Sequence, residues 1–194
     1  MSAPLRIGCV VMAAGNGSRF GSNKLSAAFR GKSLFCRALE AIPEKRFCHT
    51  VVVTQYPAFE ETIQAHGFTC ILNNAPELGI SQTIRLGLTP LRDCDGVLFL
   101  VADQPLLRRE SVSALTALWA DAPSCIAALA SHGKRGNPCL FPAALFPELL
   151  SLTGDQGGST VIRQHMELLK LLEVPAEELC DVDTVQTLND LSAL

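Results

Sequence analysis

The chain has 194 residues, 48% of them hydrophobic, and a formal net charge of −3. That length suits one domain with a sizeable core, read here as a single domain over residues 1–194. The slightly acidic balance, with no basic run, removes the electrostatic support that nucleic-acid binding needs.

In chain order, apolar runs of strand length fall at Ile7–Ala13, Thr50–Thr54, Thr69–Leu72, Gly96–Ala102 and Ser124–Leu129. A less regular run follows at Pro138–Phe141, and another lies near Leu171–Val174. Between them, helix-period segments span Ser33–Ala41, Ala58–His66, Ser81–Leu91, Arg109–Trp119, Gly158–Leu169 and Thr184–Leu191. Alternation of this kind predicts an α/β fold with a mainly parallel central sheet and helices on both faces. Ligands of such sheets bind at the carboxyl ends of the strands, so chemistry is expected just after each apolar run. The eight cysteines are scattered and form no C-x-x-C pair, and Cys9, Cys70, Cys125 and Cys139 lie inside apolar runs. They read as buried free thiols in a reducing cytoplasm. The opening Met1–Gly8 lacks an apolar signal core, and no run approaches a membrane span, so no membrane association is expected.

Three stretches carry chemistry. After the first strand the chain turns abruptly into Ala14, Gly15, Asn16, Gly17 and Ser18, followed by Arg19 and Lys24. Backbone poor in side chains lets N–H groups converge on an anion, and the two cations can neutralise phosphate. The loop departs from the Walker A pattern, because Gly21 is followed by Ser22 and Asn23, and from G-x-G-x-x-G, because Phe20 stands where the third glycine belongs. The second stretch is Asp103-Gln104-Pro105, a carboxylate ending an apolar strand. It is placed either to hold a divalent metal bridging phosphates or to cap the following helix. The third is Asp181-Val182-Asp183-Thr184, where two carboxylates share a face of an extended segment, or where Asp183 caps the last helix. The four histidines have no metal-ligand spacing and read as surface or packing residues.

Taken in order, Met12–Leu25, Ala102–Pro105, Gly136–Phe141, Gly154–Gly158 and Asp181–Thr184 resemble the molybdenum cofactor nucleotidyltransferases. The similarity is to the MobA-like cytidylyltransferase branch, also described as molybdenum hydroxylase accessory proteins, and runs from about Ile7 to about Leu191. The resemblance implies a Rossmann-like nucleotidyltransferase fold and transfer of CMP from CTP to the phosphate of molybdopterin, with release of pyrophosphate. It also implies Mg²⁺ as cofactor and a molybdenum hydroxylase as a partner receiving the product. Carried over by motif, Ala13, Ala14 and Gly15 contact the base, and Gly17, Ser18, Arg19 and Lys24 hold the triphosphate. Gly79 and Ser81 lie beside the base. The metal falls to Asp103 with Asp183 or Asp181, Asp183 being preferred, and Arg19, Lys24 and Asp103 form the catalytic set. Gly136, Asn137, Asp155 and Gly157 face the acceptor. The Ala13-Ala14-Gly15 sequence goes with cytosine in this resemblance.

The chain departs from the family pattern at Ala102, Ser159 and Val185, where relatives usually carry Gly, Arg and Pro. Arg163, one helical turn on, is a candidate replacement for the missing Arg. Alternative activities are guanylyl transfer to the same cofactor, cytidylyl transfer to a sugar or polyol phosphate, and non-catalytic carriage of the cofactor to a hydroxylase.

Overall fold

The computed structural model of the protein describes residues 4–15, 20 and 23–193. The first apolar run forms β1 (Ile7–Ala13), and a two-stranded ribbon of β2 (Ala28–Phe29) and β3 (Lys32–Ser33) follows. The main sheet continues with β4 (His49–Thr54), β5 (Thr69–Leu72), β6 (Gly96–Val101), β7 (Ile126–Ser131), β8 (Lys134–Pro142) and β9 (Leu169–Glu173). Its seven strands lie in the order β5-β4-β1-β6-β8-β7-β9. β1 pairs parallel with β4 on one side and β6 on the other, β5 extends the parallel set, and β9 pairs parallel with β7. β8 alone runs antiparallel to both its neighbours. The expected mainly parallel sheet is therefore present.

Both faces are covered, which is why the central strands read as unbroken apolar runs. Cys9, Val11 and Ala13 of β1 enter one core with α1 (Leu34–Glu40), α2 (Glu60–Ala65) and α4 (Arg109–Ala120). Val10 enters the other, with α3 (Ile80–Leu88), α5 (Phe146–Ser151) and α6 (Gly158–Gln164). A smaller cluster seats α7 (Val185–Ser192) through Leu188 and Leu191 against Phe29, Leu34 and Val182. Ser33 starts α1 by accepting from Cys36 N at 3.1 Å. Trp119, fully buried at the end of α4, donates its indole N–H to Cys125 O at 3.0 Å.

The helix expected over Gly158–Leu169 stops at Gln164, and Leu169 instead begins β9. His165 leaves helical geometry at φ −130° and ψ 45°, and parallel pairing with Ile126–Ala130 overrides the local 3.6-residue period. The β2–β3 ribbon and α5 were not anticipated, each being too short to show a period. All eight cysteines are free thiols. Cys9, Cys125 and Cys139 are buried as expected, whereas Cys70, on edge strand β5, is only half-buried and Cys48 is exposed. Among the described residues, no helix is long and apolar enough to cross a membrane.

Candidate active site

Where β1 and β6 end, the sheet opens on a cleft of about 400 Å³. Ala13, Ala14 and Gly15 form its floor, and Lys24, Gly79, Asp103 and Asp155 also line it. Gly17, Ser18 and Arg19 lie outside the described residues. Gln55, just past β4, donates its side-chain N–H to Ala14 O at 3.0 Å and Gly15 O at 3.3 Å. It thereby ties the start of the glycine-rich loop to the neighbouring strand. Its position directly after an apolar run was the signal that could have singled it out.

Lys24 opens a short 3-10 turn that Asn23 caps by accepting from Leu25 N at 3.1 Å, while buried Leu25 anchors the turn. The Lys24 ammonium then lies 2.7 Å from Asp103 Oδ2 and 3.0 Å from Asp183 Oδ1. Burial alone lowers the Lys24 pKa, but the charge and hydrogen bond of Asp103, then those of Asp183, outweigh it and leave it raised. Asp103 is not a helix cap, since α4 starts only at Arg109 and follows Arg108, whose side chain makes no capping bond. Asp183 is not one either, because Thr184 caps α7 by accepting from Thr187 N. Both alternatives left open by the sequence thus fall away.

Gln104, buried beside Asp103, donates to Asp181 Oδ1 at 2.9 Å and to Leu179 O at 3.3 Å. Val182 N adds a bond to Asp103 O at 2.9 Å, so the 181–183 segment is stitched to the exit of β6. Protein packed on the inner side of Asp181, and then the charge of Asp103, push its carboxyl above the usual range; the Gln104 bond opposes this in part. Sequence reading missed Gln104, although it stands inside the Asp103-Gln104-Pro105 motif.

Gly79 and Ser81 meet the loop carrying Asp155. Gly79 has φ +83°, a side chain there would come within 2.4 Å of Gly154 O, and Ser81 N donates to that oxygen at 3.1 Å. Asp155 therefore lines the first cleft, beside Gly79, and apart from Gly157. Asn137 and Gly157 line a second, mostly apolar pocket of about 170 Å³, together with Arg135 and Ser159. Gly136 and Asn137 border a third cleft of about 670 Å³ that also reaches Gln104 and Asp181. Arg163 is exposed, donates to Thr160 Oγ1 at 3.3 Å, and lines none of the three.

The acidic residues fit a divalent cation held jointly with a phosphate ligand. Among the described residues Asp103 Oδ1 is buried without a hydrogen-bond partner, while its other oxygen faces Lys24. Among the described residues no group of three His, Cys, Asp or Glu side chains forms a complete metal cage. Mg²⁺ needs none, because it takes one or two carboxylates and completes its shell with water and substrate oxygens.

Known proteins resemble this chain in sequence or in fold. Over 95% of the chain, and 94% of its own length, the purine catabolism protein PucB of Bacillus subtilis is 29% identical. The structure of Rv0371c from Mycobacterium tuberculosis superposes with a TM-score of 0.83 over all of both chains, at 21% identity. The same protein is also known in a complex with manganese, at a TM-score of 0.76 and 19% identity over 97% of this chain and 98% of that one. A nucleotidyl transferase from Methanothermobacter gives 0.78 over 97% and 96% of the two chains, at 20% identity. The family model for the MobA-like NTP transferase domain matches residues 9–169, from within β1 to the start of β9. With the cleft, the loop after β1 and Asp103 all inside that span, the chain belongs to the MobA-like NTP transferase family.

Proposed function

We propose that the protein transfers CMP from CTP to the terminal phosphate of molybdopterin and releases pyrophosphate. One observation carries the reading: a lysine and an aspartate meet at 2.7 Å across the mouth of the β1–β6 cleft, and the aspartate keeps a buried oxygen spare. A cation for the triphosphate and a carboxylate for its metal are what nucleotidyl transfer needs, with no covalent nucleophile.

The cleft floor, Ala13 to Gly15, takes the base, and its Ala-Ala-Gly sequence supports cytosine. Gly79 forms the opposite wall, whereas Ser81, expected beside the base, is buried behind it and lines no part of the cleft. Gly17, Ser18, Arg19 and Lys24 hold the triphosphate, leaving the α-phosphorus open on the acceptor side. An oxygen of the acceptor phosphate attacks that phosphorus in line, and the bond to the β-phosphate oxygen breaks. The acceptor phosphate is already ionised at neutral pH, so no general base is required. Arg19 and Lys24 neutralise charge growing on the departing pyrophosphate. Asp103, with Asp183 or Asp181, would hold Mg²⁺, which would supply Lewis-acid stabilisation of the phosphate oxygens. Rv0371c, described with manganese, supports divalent-metal use on this fold. Gly136, Asn137 and Gly157 face the acceptor, and Asp155 closes the nucleotide side. The eight free thiols suit a cytoplasmic protein, and the resemblance makes a molybdenum hydroxylase the recipient of the product.

Pyrophosphate release with purified protein, Mg²⁺, molybdopterin and each nucleotide in turn tests this. CTP is expected to be the substrate, and Asp103→Ala to lower turnover by about 10²–10³-fold with an unchanged circular-dichroism spectrum. Preferred use of GTP, or full activity of the variant, overturns the assignment of base or metal ligand respectively.

A further inference from the structure

At the amino ends of β4 and β6, opposite the strand ends that open on the cleft, two thiols meet. Cys48 precedes β4 and Cys94 precedes β6, and their Sγ atoms lie 3.5 Å apart although 46 positions separate them in the chain. Among the described residues no other two thiols come this close. β1 runs between β4 and β6, and the backbone at its start holds both cysteines in place. Cys48 N donates to Ile7 O at 2.9 Å from one side, and Asp95 N donates to Arg6 O at 2.8 Å from the other. Gly8 makes room for the contact, since a Cβ there would stand only 3.2 Å from Cys94 Sγ.

The two thiols differ in access. Cys48 is exposed, whereas Cys94 is buried. Burial first, and then the hydrogen bond and charge of Cys48, push the Cys94 thiol up to about 12. Cys94 is thus a poor first nucleophile, and Cys48 is the thiol that a reagent in solution can reach. Neither residue lines any of the three clefts, so the nucleotidyl-transfer reading makes no use of them. An accessible thiol backed by a second, buried one is the arrangement that lets oxidation end in a disulfide.

We infer that Cys48 and Cys94 are a reversible modification site for a small disulfide oxidant, and that the bond they form staples β4 to β6 across β1. In the first step the Cys48 thiolate attacks one sulfur of the oxidant, a mixed disulfide forms, and one thiolate leaves. That step also removes the hydrogen bond and charge of Cys48 that help to hold the Cys94 thiol up. Cys94 then gives its proton to solvent and attacks the Cys48 sulfur, and the second thiolate leaves. The protein loses two electrons and two protons, and the oxidant is reduced to two thiols. In a reducing cytoplasm the pair stays open, and it closes only when the thiol–disulfide balance shifts. The inference is independent of the nucleotide and of the acceptor.

Oxidised glutathione added to the folded protein tests it, read by intact mass and peptide mapping. Wild type is expected to lose two hydrogens, with Cys48 and Cys94 crosslinked, and dithiothreitol to restore it. Cys94→Ser should instead accumulate one glutathione adduct on Cys48, and Cys48→Ser should form no crosslink to Cys94. Oxidised wild type should melt about 5–10 °C above the reduced protein, and Cys48→Ser should show no such rise. An adduct that persists on Cys48 of the wild type, or crosslinks spread equally over other cysteines, overturns the site. A Cys48–Cys94 crosslink that leaves melting unchanged or lowered overturns the staple.

Discussion

Asp103 faces two ways: one oxygen meets Lys24, and the other is buried without a partner among the described residues. Its neighbour Asp181 lies in the same negative field, and there the consequence is measurable. The folded-state pKa of Asp181 is raised above its unfolded value, by desolvation first and Asp103 second. Its stability penalty therefore builds as the pH rises from the ordinary carboxylate range of about 4 to the folded pKa, is full above that, and is absent below about 4. In metal-free buffer Asp181→Asn, which still accepts from Gln104, should melt above wild type at neutral pH. The gap should close as the pH falls towards about 4. A gap that stays constant across that range would contradict the electrostatic cause. Asp103 and Lys24 were legible in the sequence because each follows an apolar strand or a loop that announces it. Gln104 was not, because its partners Leu179 and Asp181 lie 75 and 77 residues away in the chain.

Among the elements, α3 depends most on a single backbone position. Gly79 combines φ +83° with an approach to Gly154 O that leaves no room for a Cβ. This contact seats the first turn of α3 against the loop bearing Asp155. Gly79→Ala is expected to cost about 2 kcal/mol or more in urea denaturation, through both the left-handed backbone and the clash. It should also raise the KM for nucleotide, since Gly79 and Asp155 line the same cleft. Unchanged stability would mean that the loop yields freely. Most helices and strands could be read from their periods, as β1, β6 and α4 show. The 158–169 stretch could not, because its last residues obey a pairing with β7 that no local period reveals. Nor could the wall made by 153–157 against α3, which joins two elements distant in sequence.

At the scale of the molecule, the cleft lies between β1 and β6, and each helical layer packs on one face of the same sheet. Nucleotide binding there should stabilise the fold as a whole, since ligand bound only to the native state adds about 2.7 kcal/mol at a hundredfold excess over Kd. For a chain of this size that is a melting rise of roughly 5–10 °C with CTP and Mg²⁺ in differential scanning fluorimetry. The rise should exceed that with CTP alone, and the excess should vanish in Asp103→Asn; an excess retained by that variant would remove Asp103 from the metal site. The single reversed strand has a further consequence. Running against its neighbours, β8 delivers its first residues, not its last, to the edge where the parallel strands end. Arg135, Asn137, Cys139 and Phe141 all line the apolar pocket and follow a two-residue rhythm. The irregularity facing β7 preserves it: β7 advances from Ala128 to Ala130, two residues, while β8 moves from Cys139 back to Arg135, four, so the excess is even. Phe141 and Cys139 are pinned by Val97 and Phe99 of β6. Gaining or losing one residue between Arg135 and Cys139 would therefore turn the arginine to the opposite face, whereas a change of two would keep it facing the pocket. Descendants of this sequence are free to retune the pocket by exchanging side chains, but its length along β8 can change only in even steps.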